Sequence, residues 1–259
     1  MIDALRTAWG GPAGTARIRA VPEDFEVEEL LGFEPGGGGE HAWLRVRKRG
    51  ANSSEVAAEL ADRAGISAKN VGFSGMKDRN ALTRQWFSVL LPGRTDPDWG
   101  ASSDGTTWQV EEALRAPRKL RTGTHRANRF TIRLRDVVAD RDELEARLHR
   151  VRTSGFPNYF GPQRFGRNGE NLRRARERLT SGRRRGRVPG MQLSAARSWL
   201  FNLVLDRRIA DGTWNRAIPG DALMLAGTRS MFEYLGSEPD VPDRIAAMDL
   251  DPTGPLWGI

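Results

Sequence analysis

Alternating apolar and polar positions predict two strands near the start of the chain, over residues 15–31 and 41–48. In the second of these, three apolar residues alternate with Trp43, Arg45 and Arg47. Because successive side chains of a strand point to opposite faces, this pattern predicts a strand with one apolar and one basic face.

Four consecutive glycines, Gly36–Gly39, lie between these two strands. Such a run favours a flexible connection, and we expect it to form a hairpin loop. A phosphate-binding loop is the less favoured interpretation, because no helix start follows the glycines.

Three further segments carry strand patterns. Val71–Gly75 and Trp86–Leu91 are apolar runs on either side of a short charged segment, and Arg129–Arg135 has the alternating sequence RFTIRLR. This last pattern predicts one apolar face and one face lined by arginine. We expect such a sheet to be covered by RNA or exposed to solvent.

Two segments carry the signals of capped helices. Asn52–Ala64 begins with a residue that caps helices, has Glu55 three positions later and is followed by Gly65. Asp140–Ser154 has the same layout, with Glu143 three positions after Asp140. These signals mark where a helix begins and ends. The first 155 residues therefore mix strands and helices, which predicts an α+β fold.

The character of the chain changes after Gly155, where we place a domain boundary. A loop and a basic helix come first, followed by an arginine-rich segment over 183–187 and an apolar helix that begins at Ser194. The tail has one short strand pattern, Ala222–Ala226, and is otherwise rich in proline and glycine, which predicts irregular chain.

Composition argues against several classes of function. The chain has no cysteine, which removes disulfides, thiolate nucleophiles and cysteine-bound metals. Its three histidines, His41, His125 and His149, are scattered and give little support to a histidine metal site or a histidine-dependent hydrolase. We find no Walker A segment, no apolar run long enough to span a membrane and no signal-peptide pattern.

Charge points towards a polyanionic partner. The formal net charge is +8, and 41 lysines and arginines include only four lysines, which leaves 37 arginines. Arginine binds phosphate with two parallel hydrogen bonds, so this composition favours nucleic acid.

One acid stands between two bases on the predicted tip between Val71–Gly75 and Trp86–Leu91: Lys77, Asp78 and Arg79. A solvated turn is the usual explanation of such a triplet. Here the flanking strands would fix the loop from both sides, and adjacent cations would keep the carboxylate ionised. An ionised carboxylate in a fixed loop is what a carboxylate nucleophile requires.

Two aromatic segments could bind bases. Asn158–Gly166, NYFGPQRFG, offers rings for stacking and Arg164 for phosphate, although it could equally be a packed loop that joins two domains. Asn128 and Phe130 offer an amide and a ring at the start of a predicted strand.

A cluster of acids raises a third possibility, a metal-dependent nuclease. The cluster consists of Glu23, Asp24, Glu26, Glu28 and Glu29. Since alternate residues of a strand point to opposite faces, we interpret this cluster as a solvated strand edge.

Four segments, in order along the chain, resemble the TruD family of tRNA pseudouridine synthases. They are NVGFSGMKDRNALTRQWFSV, NRFTIRLRDV, GFPNYFGPQRFGRNGENL and LSAARSWLFNLVL. The resemblance extends from about Thr15 to the end of the chain. It implies a pseudouridine-synthase-like α+β fold with a mixed or antiparallel sheet and flanking helices. It also implies a catalytic domain over residues 1–154 and a smaller α+β insertion domain over 155–259.

The resemblance also implies an activity and a site. Family members convert a uridine of tRNA, at position 13 in bacteria, to pseudouridine, and they need no metal or cofactor. By position, Asp78 matches the catalytic carboxylate, and Phe25, Asn128 and Phe130 match residues around the uracil. Arg19 falls where the family keeps a basic residue that can pair with the acid.

Cations on the proposed strands and loops are expected to bind the tRNA backbone. They are Lys77, Arg79, Arg164, Arg45 and Arg133. We expect a cytoplasmic monomer with tRNA as its partner.

The chain departs from the family pattern at its end. Relatives return to the catalytic domain with a further segment, whereas this sequence ends at DPTGPLWGI. An alternative to the enzyme is therefore a truncated relic that binds RNA without catalysing the reaction.

Overall fold

The computed structural model describes residues 5–105, 107–180, 189–228 and 230–254. They form two compact units, Gly14–Val138 and a second made of residues 5–13 with 139–254. Within the described part of the chain, no helix has the length and hydropathy of a membrane span.

The described residues of the first unit form one α-helix, α1 (Ser53–Ala64), and eight strands. The strands are β1 (Gly14–Arg17), β2 (Phe25–Leu30), β3 (His41–Arg49), β4 (Val71–Phe73), β5 (Leu82–Leu90), β6 (Trp108–Ala116), β7 (Ala127–Ile132) and β8 (Arg135–Ala139).

Six of these strands form one mixed sheet in the order β6-β3-β5-β2-β7, with β4 paired to β5. All pairs are antiparallel except β2 with β5. The predicted hairpin at Gly36–Gly39 is wrong, because β5 lies between β2 and β3 and the glycines connect strands that do not pair.

Helix α1 covers one face of the sheet and forms the main core with it. Leu44 and Val46 of β3 and Phe87 of β5 pack there against Val56 and Leu60 of α1. The apolar phase predicted for β3 therefore faces the helix. The opposite phase is not purely basic as predicted, since Trp43 is also buried, in a smaller cluster on the other face.

The predicted strand over 15–31 is two strands with an interruption. Arg19 has a φ of 56°, and Pro22–Asp24 forms one turn of 3-10 helix before β2 begins. Proline cannot donate to a strand ladder, which explains the break. Arg19 therefore lies between β1 and β2 and belongs to neither strand.

The capped helices are confirmed. The main-chain nitrogen of Asn52 donates to the Glu55 carboxylate at 2.8 Å, and Gly65 ends α1 with a φ of 62°. Asp140 accepts from the nitrogen of Glu143 at 2.8 Å at the start of the next helix. Local sequence decides both ends of each helix.

The described residues of the second unit form four α-helices and a small sheet. They are α2 (Arg141–Ser154), α3 (Glu170–Thr180), α4 (Gly190–Ala210), α5 (Val241–Ala246), β9 (Ala222–Leu225), β10 (Met231–Glu233) and β11 (Leu250–Pro252). The antiparallel sheet has the order β10-β9-β11, so the prediction of an irregular tail is wrong. Helix α4 begins four residues before the predicted Ser194. The arginine-rich segment 183–187 lies outside the described residues.

Candidate functional site

Asp78 lies in the loop between β4 and β5, as predicted, and its side chain is 50% exposed. The loop is fixed by side chains of the core. The main-chain nitrogen of Lys77 donates to Ser53 Oγ at 3.1 Å, and the side-chain amide of Gln85 donates to the Gly75 carbonyl oxygen at 3.2 Å. Ser53 in turn donates to Gln85 at 2.6 Å. The loop is therefore held from α1 and β5 at once.

The two bases that flank Asp78 point away from it. Lys77 is almost buried, at 6% exposure, and its Nζ lies 2.8 Å from Oε2 of Glu29, which is fully buried. Arg79 donates from Nε to the Gly50 carbonyl oxygen at 3.0 Å. Lys77 and Arg79 therefore contact other parts of the protein, and the carboxylate of Asp78 remains accessible.

A third base, Lys48, lies beneath the loop. It is fully buried, and its Nζ donates to the main-chain oxygens of Ala51 at 2.9 Å and of Asp78 at 3.0 Å. Burial lowers the pKa of Lys48 to about 8, and the charge of Asp78 opposes that shift.

Arg19 is the cation that faces the Asp78 side chain. Its Nη2 lies 3.6 Å from Oδ2 of Asp78, and its guanidinium carbon lies 3.9 Å above the ring of Phe25. Both charged groups are about half exposed, so water screens their attraction. The stacking on Phe25 holds the guanidinium beside the carboxylate.

Phe25 and Phe130 form the aromatic part of the site. Their ring centroids are 5.8 Å apart, because Val27 of β2 pairs with Phe130 of β7 and Phe25 with Ile132. Phe25 is buried, whereas Phe130 is 54% exposed. An exposed ring beside a buried one offers a face on which a planar base can stack.

Asn128 lies on β7, on the same face as Phe130. Its amide nitrogen is 3.2 Å from Nε2 of His125, whose Nδ1 is 2.5 Å from Oγ of Ser74 at the start of the loop. The Asn128 Oδ1 atom is buried without a hydrogen-bond partner. These contacts connect β7 to the loop that carries Asp78.

The five cations predicted to bind RNA have different surroundings. Lys77 is buried, which favours a structural role for it over contact with RNA. Arg45 is paired with Glu28 at 2.7 Å, while Arg79 and Arg133 are exposed.

Arg164 belongs to the second unit. There its Nε donates to Oγ of Ser198 at 3.0 Å, and its guanidinium lies 5.4 Å from the ring centroid of Phe160. Within the second unit these contacts hold Arg164 against α4.

The acid cluster is not a single solvated edge. Each acid pairs with a base: Glu23 with Arg49, Asp24 with Arg135, Glu26 with Arg84, Glu28 with Arg45 and Arg129, and Glu29 with Lys77. The prediction of solvation is wrong for Asp24 and Glu29, which are buried. Among the described residues, no group of three acids and histidines could hold a metal ion.

Sequence reasoning missed two functional candidates, Lys48 and Glu29. Lys48 continues the apolar phase of β3, and Glu29 continues the phase of Phe25 and Val27. A charged residue on the apolar phase of a strand predicts a buried charge with a partner, so the signal was present.

Comparison with known proteins assigns relatives to the chain. A model of the tRNA pseudouridine synthase D (TruD) family matches residues 5–183. The chain is 49% identical to tRNA pseudouridine synthase D of Pseudomonas aeruginosa strain PAO1 over 257 residues, which is 97% of this chain and 71% of that protein. It is 46% identical to the protein of the same name from Methylococcus capsulatus, covering 99% of this chain and 73% of the relative.

The fold also has a solved counterpart. A crystal structure from Methanosarcina mazei, described as tRNA pseudouridine synthase D (TruD), matches with a TM-score of 0.73 and 20% identity. The match covers 98% of this chain and 76% of the other. It confirms the predicted α+β fold.

Proposed function

The chain belongs to the TruD family, and from this we propose that it converts a uridine of tRNA to pseudouridine, at position 13. The observation that supports this most directly is the placement of Asp78. Its carboxylate is half exposed on a loop that core side chains hold, with Arg19 and the two phenylalanines beside it. We further propose that the protein acts as a cytoplasmic monomer.

The reaction rearranges one base without changing its composition. The bond from C1′ of the ribose to N1 of uracil breaks, a bond from C1′ to C5 forms, C5 loses its proton and N1 gains one. Asp78 serves as the nucleophile or base in this sequence, with Arg19 as its counter-ion.

The other predicted residues have binding roles in this proposal. The uridine leaves its stack, and Phe25 and Phe130 hold the uracil ring while it turns over. Asn128, whose amide nitrogen lies 3.2 Å from Nε2 of His125, positions Asp78 or the base edge. Arg79, Arg133 and other exposed arginines bind phosphates.

The domain assignment stays part of the proposal. Residues 1–154 carry the catalytic site and residues 155–259 form an insertion domain that contributes Arg164 to RNA binding. All the residues proposed around the uracil lie within the compact unit Gly14–Val138.

A position-resolved assay tests the activity. Unmodified tRNA transcript is incubated with purified wild type, Asp78→Asn and Asp62→Asn, and pseudouridine is mapped along the RNA. Asp62 is an exposed acid on α1 and serves as the matched control.

We expect pseudouridine at position 13 with wild type and Asp62→Asn, and no product with Asp78→Asn although tRNA still binds. Binding by all three proteins without any product would contradict the enzyme and favour an RNA-binding protein.

A further inference from the structure

A buried ammonium ion touches the loop of the proposed catalytic acid. Lys48 has no exposed surface, and its Nζ donates hydrogen bonds to the main-chain oxygens of Ala51 at 2.9 Å and Asp78 at 3.0 Å. The contact is with the carbonyl oxygen of Asp78, so the Asp78 carboxylate remains available to a substrate.

An apolar side chain would fill this position at lower cost. The neighbours of Lys48 in the same phase of β3, Leu44 and Val46, are apolar and fully buried. Burying a charged group is unfavourable unless hydrogen bonds and opposite charges compensate it. Packing alone therefore does not account for a lysine here.

Three charges from two elements face Lys48. Asp78 from the loop and Glu55 from α1 favour its charged form, while Lys77 from the loop disfavours it. Burial has the largest effect, and the pKa falls to about 8. The ammonium is therefore charged at neutral pH and loses its proton in mildly alkaline solution.

We propose that Lys48 is a positioning residue for Asp78: its ammonium fixes the main chain at Asp78 and places a buried positive charge beneath the loop that carries the carboxylate. This inference rests on the proposed function. Arg19 contacts the carboxylate of Asp78 from the solvent side, whereas Lys48 holds the main chain of the same residue from the core.

Kinetics give the first test. Lys48→Met keeps an unbranched side chain that is one atom shorter, and it removes the charge and both hydrogen bonds. We expect kcat at pH 7 to fall about a hundredfold with KM within about threefold, because the nucleophile is displaced rather than the tRNA. Wild-type kcat should fall as the pH rises through 8, and Lys48→Met should lack that fall.

Val46→Ala is the matched control for stability. It removes buried atoms from the same face of β3 and removes neither of the hydrogen bonds that Lys48 makes, so it lowers Tm but leaves kcat and its pH dependence unchanged. Equal losses of kcat in Val46→Ala and Lys48→Met at equal Tm would overturn the proposal.

A titration tests the coupling without catalysis. The chain has four lysines, so the ¹³Cε signal of Lys48 can be assigned by its absence in Lys48→Met. We expect a midpoint near 8 in wild type and a lower midpoint in Asp78→Asn, because the Asp78 charge no longer favours the ammonium. An unchanged midpoint overturns the proposal. A lowered midpoint in a protein that forms no pseudouridine would refute the activity and support the coupling.

Discussion

At the scale of residues, the site depends on a division between buried and exposed charge. Asp78 and Arg19 are about half exposed, whereas Lys48, Lys77 and Glu29 lie in the core beneath them. The buried charges hold the loop, and the exposed pair of Asp78 and Arg19 is accessible to a substrate.

The Lys77–Glu29 pair gives the first prediction. Removing one partner of a buried ion pair leaves the other charge without compensation. We expect Lys77→Met to lower the free energy of unfolding by about 3–5 kcal/mol, measured by urea denaturation. Arg79→Met, which changes an exposed neighbour, should cost less than about 1 kcal/mol.

The double variant Lys77→Met with Glu29→Gln separates charge from packing. It should recover part of the loss, since the buried charge is gone while the glutamine oxygen still accepts from the main-chain nitrogen of Trp86. Equal destabilisation by Lys77→Met and Arg79→Met would show that the pair does not hold the loop.

At the scale of elements, β2 is tied to β8 by an ion pair at its start. Asp24 is buried and accepts two hydrogen bonds of 2.7 Å from Nε and Nη2 of Arg135. These bonds lower the pKa of Asp24 below its usual value of 3.8.

The pH dependence of stability follows from that shift. A depressed carboxyl pKa adds stability that is complete above the unfolded pKa and is lost as pH falls through the folded pKa. We expect thermal stability to decline below about pH 4, and Asp24→Asn to be less stable at neutral pH with a shallower decline in acid. Parallel curves for the two proteins would contradict this account.

The main chain at Leu120 passes close to Gly72 of β4, which leads to a prediction about this glycine. A Cβ on Gly72 would overlap the carbonyl oxygen of Leu120 and lie 2.8 Å from Oγ of Ser88. We expect Gly72→Ala to destabilise the protein by about 1–3 kcal/mol, measured by denaturation. Gly161→Ala, where a Cβ meets nothing within 4 Å, should be nearly neutral.

The elements also show how far sequence reasoning extends. The caps at Asn52 and Asp140 depend on residues three positions apart, so both could be predicted. The pairing of β2 with β5 could not be predicted in this way. The two strands are about fifty residues apart in the sequence, and no local pattern indicates that β5 lies between β2 and β3.

The site shows the same limit. The exposed position of Asp78 between two strands followed from local sequence, whereas the support from Lys48 and Glu29 required the three-dimensional pairing. Each of the five acids near β2 found a base on another strand or loop, which alternation alone could not reveal.

At the scale of the whole molecule, a net charge of +8 predicts salt-dependent binding of tRNA. Exposed arginines should contribute more than paired ones. We expect Arg133→Ala to weaken binding and to reduce the slope of log Kd against log salt by about one.

Arg45→Ala is the comparison for that measurement, because Arg45 is paired with Glu28. It should leave the slope unchanged. The slopes are measured by filter binding from low to high salt. Equal slopes for wild type and both variants would contradict a phosphate contact at Arg133.

The central claim is that Asp78 performs the isomerisation. Its most direct test is the single-turnover release of tritium from tRNA labelled at C5 of uridine, because the reaction removes the C5 proton. With protein in excess and tRNA fully bound, we predict that wild type releases tritium in proportion to pseudouridine formed and that Asp78→Asn releases none. Release by Asp78→Asn at the wild-type rate would contradict the account.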